Sequence, residues 1–281
     1  MGIIDGKMVA SQIKENITTE VQSLKKKTGK TPGLAVVLVG DDPASAVYVR
    51  NKNKTCNNIG FQSFENILPA NTSESELLNL IHKLNNDEKV NGILVQLPLP
   101  NHIASNKILE AINPQKDVDG FHLENVGRLV TGHSLFKPCT PAGIIKLLDK
   151  YDVEIEGKNA VIIGRSNVVG KPVAFLLLER NATVTICHSR TKNLSNLARS
   201  ADILIAAIGK PNFVTADMVK DNSVVIDVGI NRLAGKLVGD VDFSAVLKKT
   251  SLITPVPGGV GPMTIAMLME NTFQAFKNSL K

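Results

Sequence analysis

Apolar residues change period several times along the chain, and the changes mark out its elements. Val9, Ile13, Ile17, Val21 and Leu24 recur at helical spacing, and Gly29 closes that helix. "GLAVVLVG" (33–40) is continuously apolar and predicts a buried strand. Asp42 and Pro43 then supply a cap and a first helical residue for a helix reaching Asn58. "FQSFENIL" predicts a second strand. Ser73 and Glu76 form a capping box before a helix with Leu77, Leu78, Ile81 and Leu84 on one face. "GILVQLPLP" (92–100) predicts a third strand.

Between Ile112 and Pro141 the periodicity lapses, as expected of a connection between domains. "TPAGIIKLLDKYD" predicts a linking helix, after which the alternation resumes. Strands are expected at 160–163, 183–187, 203–207 and 224–228, and a last helix at 262–280. Continuous apolar strands alternating with helices call for parallel sheets covered by helices. The fold class is therefore α/β, with two parallel-sheet domains flanking a cleft. The pattern divides them near residues 139 and 140.

Composition narrows the class. The chain has 281 residues, 43% of them hydrophobic and 21% charged, which excludes disorder and suits two domains. With no Trp and two Tyr, platforms for stacking nucleic-acid bases are scarce, so no nucleic-acid partner is expected. The net charge of +6 reads as solubility, and Lys25–Lys27 as a helix end where cations suit the dipole. No apolar stretch approaches membrane-spanning length, and the N-terminus resembles neither a signal nor a transit peptide. Gly6 stands where a myristoylation signal would need Ser or Thr. Cys56, Cys139 and Cys187 are isolated, without metal-ligand spacing, so no metal is expected and a reducing, cytoplasmic setting fits.

The first motif with chemical content is "NAVIIGRSNVVGKP" (159–172), a strand, a short turn and a helix start. Gly164 permits a tight turn and Gly170 close packing of helix on sheet, while the first N–H groups of the helix face a phosphate. Ser166 occupies the place of the usual middle glycine, which weakens the motif taken alone. The next strand ends in His188, Ser189 and Arg190, without the acid that binds ribose hydroxyls in NAD sites. Arg165 and Arg190 suit a 2′-phosphate, although both also fit an ordinary surface. NADP is the favoured cofactor. Gly209 and Gly229 fall at two further strand ends on the same edge.

In the first half, Tyr48 and Lys52 are four residues apart and share a helix face, an arrangement that taken alone reads as an exposed surface pair. Gln96 sits near the carboxyl end of an apolar strand, where a buried amide needs partners and a lysine could be one. Asp119 precedes a glycine in "KDVDGF", either capping a turn or facing the cleft. A lysine, an amide and a carboxylate near one cleft suit a planar, hydrogen-bonding heterocycle.

"YVRNK", "VQLPLP", "KDVDGF", "GRSNVVGKP" and "TPVPGGVGPMT", in this order, resemble the bifunctional methylenetetrahydrofolate dehydrogenase/methenyltetrahydrofolate cyclohydrolase family (FolD) through essentially the whole chain. The resemblance implies a cytoplasmic, NADP-dependent homodimer acting on tetrahydrofolate derivatives, with a folate-binding catalytic domain of residues 1–139 plus 263–281, closed by the C-terminal helix, and a Rossmann-like NADP-binding domain of residues 140–262. It implies Lys52 as the proton-transfer group, Gln96 as its orienting partner, Asp119 holding the pterin and Tyr48 packing on the ring. Leu97, Pro98, Pro257, Gly258 and Gly259 would complete the folate site. Gly164, Arg165, Ser166, Gly170, Ser189, Arg190, Gly209 and Ile230 would hold NADP. Two rival readings are a two-domain dehydrogenase for small hydroxy or amino acids and a basic nucleic-acid-binding module. Neither explains Tyr48, Lys52, Gln96 and the proline–glycine loop together.

Overall fold

The computed structural model describes residues 2–281. In chain order the first half carries β1 (Gly2–Ile3), α1 (Gly6–Thr28), β2 (Gly33–Val39), α2 (Pro43–Asn58), β3 (Gln62–Leu68), α3 (Glu74–Asn86), β4 (Gly92–Val95), α4 (Ser105–Ala111), α5 (Leu123–Val130) and α6 (Cys139–Lys150). The second half carries β5 (Asn159–Ile163), α7 (Gly170–Glu179), β6 (Thr183–Cys187), α8 (Leu194–Arg199), β7 (Ile203–Ala206), β8 (Val224–Asp227), β9 (Asn231–Leu233), β10 (Lys236–Val238), α9 (Phe243–Val246), β11 (Leu252–Ile253) and α10 (Val260–Ser279). The chain divides into two units, one of Gln12–Cys139 with Leu268–Lys281 and one of Met1–Ser11 with Thr140–Met267.

The first of these units is built on a three-stranded parallel sheet, β3-β2-β4. Every residue of β2 is buried, as a central strand requires, whereas β3 alternates and lies at the edge. Ser73 accepts from the Glu76 N–H and Glu76 from the Ser73 N–H, so the expected capping box fixes where α3 starts. Its apolar face, Leu77, Ile81 and Leu84, packs in one core with Ala35, Val37, Ile93 and Val95. Full burial of each such side chain contributes about 1.5–3 kcal/mol. At the other end of this unit Phe273 of α10 stacks on Phe61, and Cys56 lies 3.6 Å from the Met269 sulfur.

The second unit carries a six-stranded parallel sheet in the order β1-β11-β8-β7-β5-β6. The α/β class with parallel sheets is as the sequence pattern requires. Three local expectations need correction. β4 ends at Val95, not Pro100, because Pro98 and Pro100 have no N–H for a ladder. The stretch after Ile112 contains α5, capped by His122 Nδ1 accepting from the Glu124 N–H; only Asn125 and Leu129 of it are buried, too little for a visible period. Residues 2–11, expected with residues 12–139, group instead with the six-stranded sheet, because β1 pairs with β11. No helix among the described residues is long and apolar enough to cross a membrane.

Candidate active site

Within the three-stranded unit, α2 presents Tyr48 and Lys52 one turn apart. The helix starts at Asp42, whose carboxylate accepts from the Ser45 N–H at 2.7 Å. Lys52 is 8% exposed, while Tyr48, at 37%, opens to solvent. Across from them the Gln96 N–H donates to Val37 O at 2.8 Å, carrying the ladder one residue beyond β4. That bond sets the backbone from which the side chain projects. Gln96 Oε1 accepts from Lys52 Nζ at 2.9 Å, and Gln96 Nε2 donates to Leu97 O at 2.7 Å. Both ends of the amide are used, so its orientation is determined. Leu97 is half-buried and Pro98 exposed beside it.

The two aspartates of "KDVDG" divide the work. Asp117 is buried and accepts from the His122 N–H and from Asn125 Nδ2, each at 2.8 Å, so it holds the turn. Asp119 is thereby left free of capping duty, and it is the carboxylate whose charge acts most strongly on Lys52. Gly120 takes a left-handed φ of 75° to make the turn, with Pro138 N only 3.0 Å from where a Cβ would stand. Cys139, fully buried, brings its thiol within hydrogen-bonding reach of Asp119 and 3.4 Å from Val118 O. Asn271 of α10 donates to Val118 O at 2.8 Å and Lys137 O at 2.9 Å, tying these segments together. Sequence reasoning missed Cys139 and Asn271: Cys139 meets Asp119 and Val118 across the turn that follows β4, and Asn271 reaches Val118 and Lys137 from more than a hundred residues away.

Burial dominates the electrostatics. It lowers the Lys52 pKa, and the Asp119 charge opposes that shift. It raises the Asp119 carboxyl, against the pull of Lys52. The Cys56 thiol is pushed up to about 12 and Cys139 well above its ordinary value, so both stay protonated. Burial also raises the Tyr48 phenol. Burial thus moves the lysine toward its neutral form, the direction a proton-transfer group needs, while an amide orients it and a carboxylate stands beside it.

The six-stranded unit holds the second expected constellation at the carboxyl ends of its strands. Gly164 has φ 132°, and a Cβ there would stand 2.1 Å from Ala207 O; at Gly170 one would stand 2.2 Å from Gly164 O. Both glycines are therefore required by close backbone packing, Gly164 against the residue that follows β7 and Gly170 against the turn that follows β5. Ser166 Oγ accepts from the Val169 and Gly170 N–H groups at 3.1 and 3.3 Å, so the first donors of α7 already face a hydroxyl rather than open space. Arg165, Ser166, Ser189 and Arg190 are exposed, and no acid follows β6. Gly209 (φ 67°) and Ile230, 48% exposed, lie beyond β7 and β8. The bare cradle, the two exposed arginines and the missing acid fit a dinucleotide carrying a 2′-phosphate.

Pro257, Gly258 and Gly259 belong to this unit as well. Gly258 has φ 111°, and its carbonyl accepts from the Lys7 N–H at 3.1 Å. A Cβ on Gly6 would stand 1.9 Å from Gly259 O, so part of the glycine content serves packing against the start of α1. Pro257 stays exposed. Among the described residues no group of three or more His, Cys, Asp or Glu is placed to hold a metal ion. The structure thus brings Tyr48, Lys52, Gln96, Leu97, Pro98 and Asp119 into one unit and the remaining expected residues into the other.

Two family models match the chain. Residues 4–119 match the tetrahydrofolate dehydrogenase/cyclohydrolase catalytic domain, and residues 138–280 its NAD(P)-binding domain. The bifunctional protein FolD of Campylobacter hominis is 60% identical over 282 aligned positions, covering 100% of this chain and 99% of the relative. The crystal structure of the Campylobacter jejuni bifunctional FolD enzyme superposes with a TM-score of 0.97 at 55% identity, covering 99% of each chain. The Trypanosoma brucei methylenetetrahydrofolate dehydrogenase-cyclohydrolase, solved with NADP cofactor and inhibitor, superposes with a TM-score of 0.96 at 40% identity, covering 99% of this chain and 98% of that one.

Proposed function

The chain belongs to the tetrahydrofolate dehydrogenase/cyclohydrolase family, and from that premise we infer that it is a bifunctional, NADP-dependent enzyme of one-carbon folate metabolism. It oxidises 5,10-methylenetetrahydrofolate to 5,10-methenyltetrahydrofolate and hydrolyses that product to 10-formyltetrahydrofolate. The observation that carries the reading is the buried Lys52–Gln96 pair, 2.9 Å apart, with the Asp119 charge beside it.

In the oxidation, the one-carbon bridge loses hydride while the lone pairs of its two flanking nitrogens stabilise the positive charge, so no strong protein base is needed. Bound at the β5–α7 cradle, NADP+ supplies the hydride acceptor. Gly164 and Gly170 let the turn and the start of α7 pack closely against the strand ends on which the dinucleotide would lie, and Ser166 and Ser189 offer hydroxyls. Arg165 and Arg190 would hold the 2′-phosphate, and Gly209 and Ile230 would border the ribose. In the hydrolysis, water adds to the methenyl carbon and loses a proton to Lys52 Nζ. Return of that proton to the ring nitrogen that leaves, while the carbinol hydroxyl releases its own proton to solvent as the C=O bond forms, opens the ring and yields the formyl group. Gln96 fixes the lysine's direction through Oε1. Asp119 accepts hydrogen bonds from the pterin and Tyr48 packs on it. A cytoplasmic homodimer formed through the nucleotide unit, feeding formyl groups to purine synthesis, completes the reading. The half-exposed edge strand β6 supports that association.

The test is absorbance on mixing the protein with methylenetetrahydrofolate and NADP+, repeated with NAD+, and separately with methenyltetrahydrofolate alone. NADPH formation together with accelerated loss of methenyl is the expected result. Absence of both from folded protein would reject the reading.

A further inference from the structure

Behind the exposed edge of the six-stranded unit lies a pair of buried carboxylates that the reactions above do not use. Asp240 is 0% exposed and Asp227 2%. Asp240 Oδ2 accepts from the Ile208 and Gly209 N–H groups at 2.7 and 2.9 Å. Its Oδ1 accepts from the Lys210 N–H at 2.8 Å and from Asn231 Nδ2 at 2.9 Å. One side chain thus gathers three consecutive backbone donors from the loop after β7 and one donor from the start of β9. Asp227 stands behind it, accepting from the Gly229, Asp240 and Val241 N–H groups at 2.9–3.0 Å.

Two glycines make the arrangement possible. A Cβ on Gly229 would stand 2.3 Å from Asp240 Oδ1, and one on Gly239 would overlap the Asp227 carboxylate. Three successive N–H groups turned toward one carboxylate cannot ladder with a neighbouring strand. The loop shape at 208–210 is therefore imposed from inside, and Gly209, at φ 67°, follows it.

We propose that Asp240 is a positioning residue for nucleotide binding: its carboxylate sets the loop at 208–210 and the approach to Ile230, and so the shape of the nucleotide site. The inference rests on the reading of this edge as the NADP site. Asparagine at 240 is isosteric but cannot replace the acid. Each carboxylate oxygen serves two donors, so either orientation of the amide turns its NH2 against two N–H groups. Leaving such donors unsatisfied distorts the loop.

Asp240→Asn and the wild type are compared for NADP+ dependence of methylenetetrahydrofolate oxidation, and for cyclohydrolase turnover on methenyltetrahydrofolate without nucleotide. The KM for NADP+ should rise about 10- to 100-fold in the variant, with oxidation kcat at saturating nucleotide and cyclohydrolase turnover within about two-fold. An unchanged KM, or equal loss of both activities in soluble variant, overturns the proposal. Should Asp240→Asn not fold, Asn231→Ala removes one donor to the same oxygen, and a KM rise of about three-fold is expected; no rise would overturn the proposal. A wild type that does not use NADP+ would reject the underlying reading instead.

Discussion

Lys52 Nζ donates to Gln96 Oε1 at 2.9 Å, joining the middle of α2 to the residue that follows β4. The contact decides what the lysine can do. Burial favours its neutral form, while a neutral amide partner orients the amine without restoring the full charge that a carboxylate partner would.

Lys52→Met keeps the chain's length and apolar packing and removes only the amine. Cyclohydrolase turnover should fall by roughly 10²- to 10⁴-fold, the usual worth of a positioned acid–base group. Direct titration with NADP+ should be unaffected, because the nucleotide residues belong to the other unit. Retention of the cyclohydrolase rate would sink the assignment to Lys52.

Gln96→Glu tests the sign of the electrostatics. A carboxylate against Nζ favours the ammonium and raises the Lys52 pKa, opposing the lowering by burial. At neutral pH less amine is then free to accept a proton. The hydrolytic rate should drop, and its pH profile should move to the alkaline side, with activity partly recovered at high pH. A variant whose profile coincides with that of the wild type would show that the Lys52 proton does not limit the step.

The sequence made much of this legible, for reasons that can be named. β2 was readable because a central strand buried on both faces is a continuous apolar run, and α3 because its cap and its apolar face agree. Gln96 could be read as an amide at the end of an apolar strand, whereas Lys52 alone read as surface and Asp119 as a turn cap until the resemblance joined them. Asp240 could not: "VGDVDF" has no periodic signal, and its value lies in donors thirty residues earlier that only the fold brings to it. Asp117 and Asp119 also look equivalent in the sequence. Only the hydrogen bonds from His122 and Asn125 show that the first holds the turn. β1 and β11, of two residues each, carry too short a pattern to be seen before their pairing is known.

Arg190 should set the choice between nucleotides. It is exposed just beyond β6, where no acid is present to bind a ribose 2′-hydroxyl. Arg190→Ala should raise the KM for NADP+ by about 10-fold or more, the worth of a charge-assisted phosphate contact. The KM for NAD+, which lacks that phosphate, should stay nearly constant. Parallel steady-state titrations with the two nucleotides give the answer, and an equal rise for both would move the phosphate contact elsewhere.

Asp227 should make stability fall as pH rises through the weakly acidic range. Burial lifts its carboxyl from 3.8 to about 6, Asp240's charge adding to the lift, against N–H groups from Asp240, Val241 and Gly229 that pull it down. Between those two values the unfolded chain releases a proton that the folded protein keeps, so the folded state binds more protons and loses stability as pH increases. Above about pH 6 the loss is complete, at about 3 kcal/mol. Asp227→Asn has no proton to release there. Urea unfolding of both proteins between pH 4 and 7 should therefore show the wild type's stability relative to the variant declining across that window and levelling above it. A relative stability that stays constant, or that grows with pH, would mean that the three backbone donors outweigh burial and keep Asp227 ionised throughout.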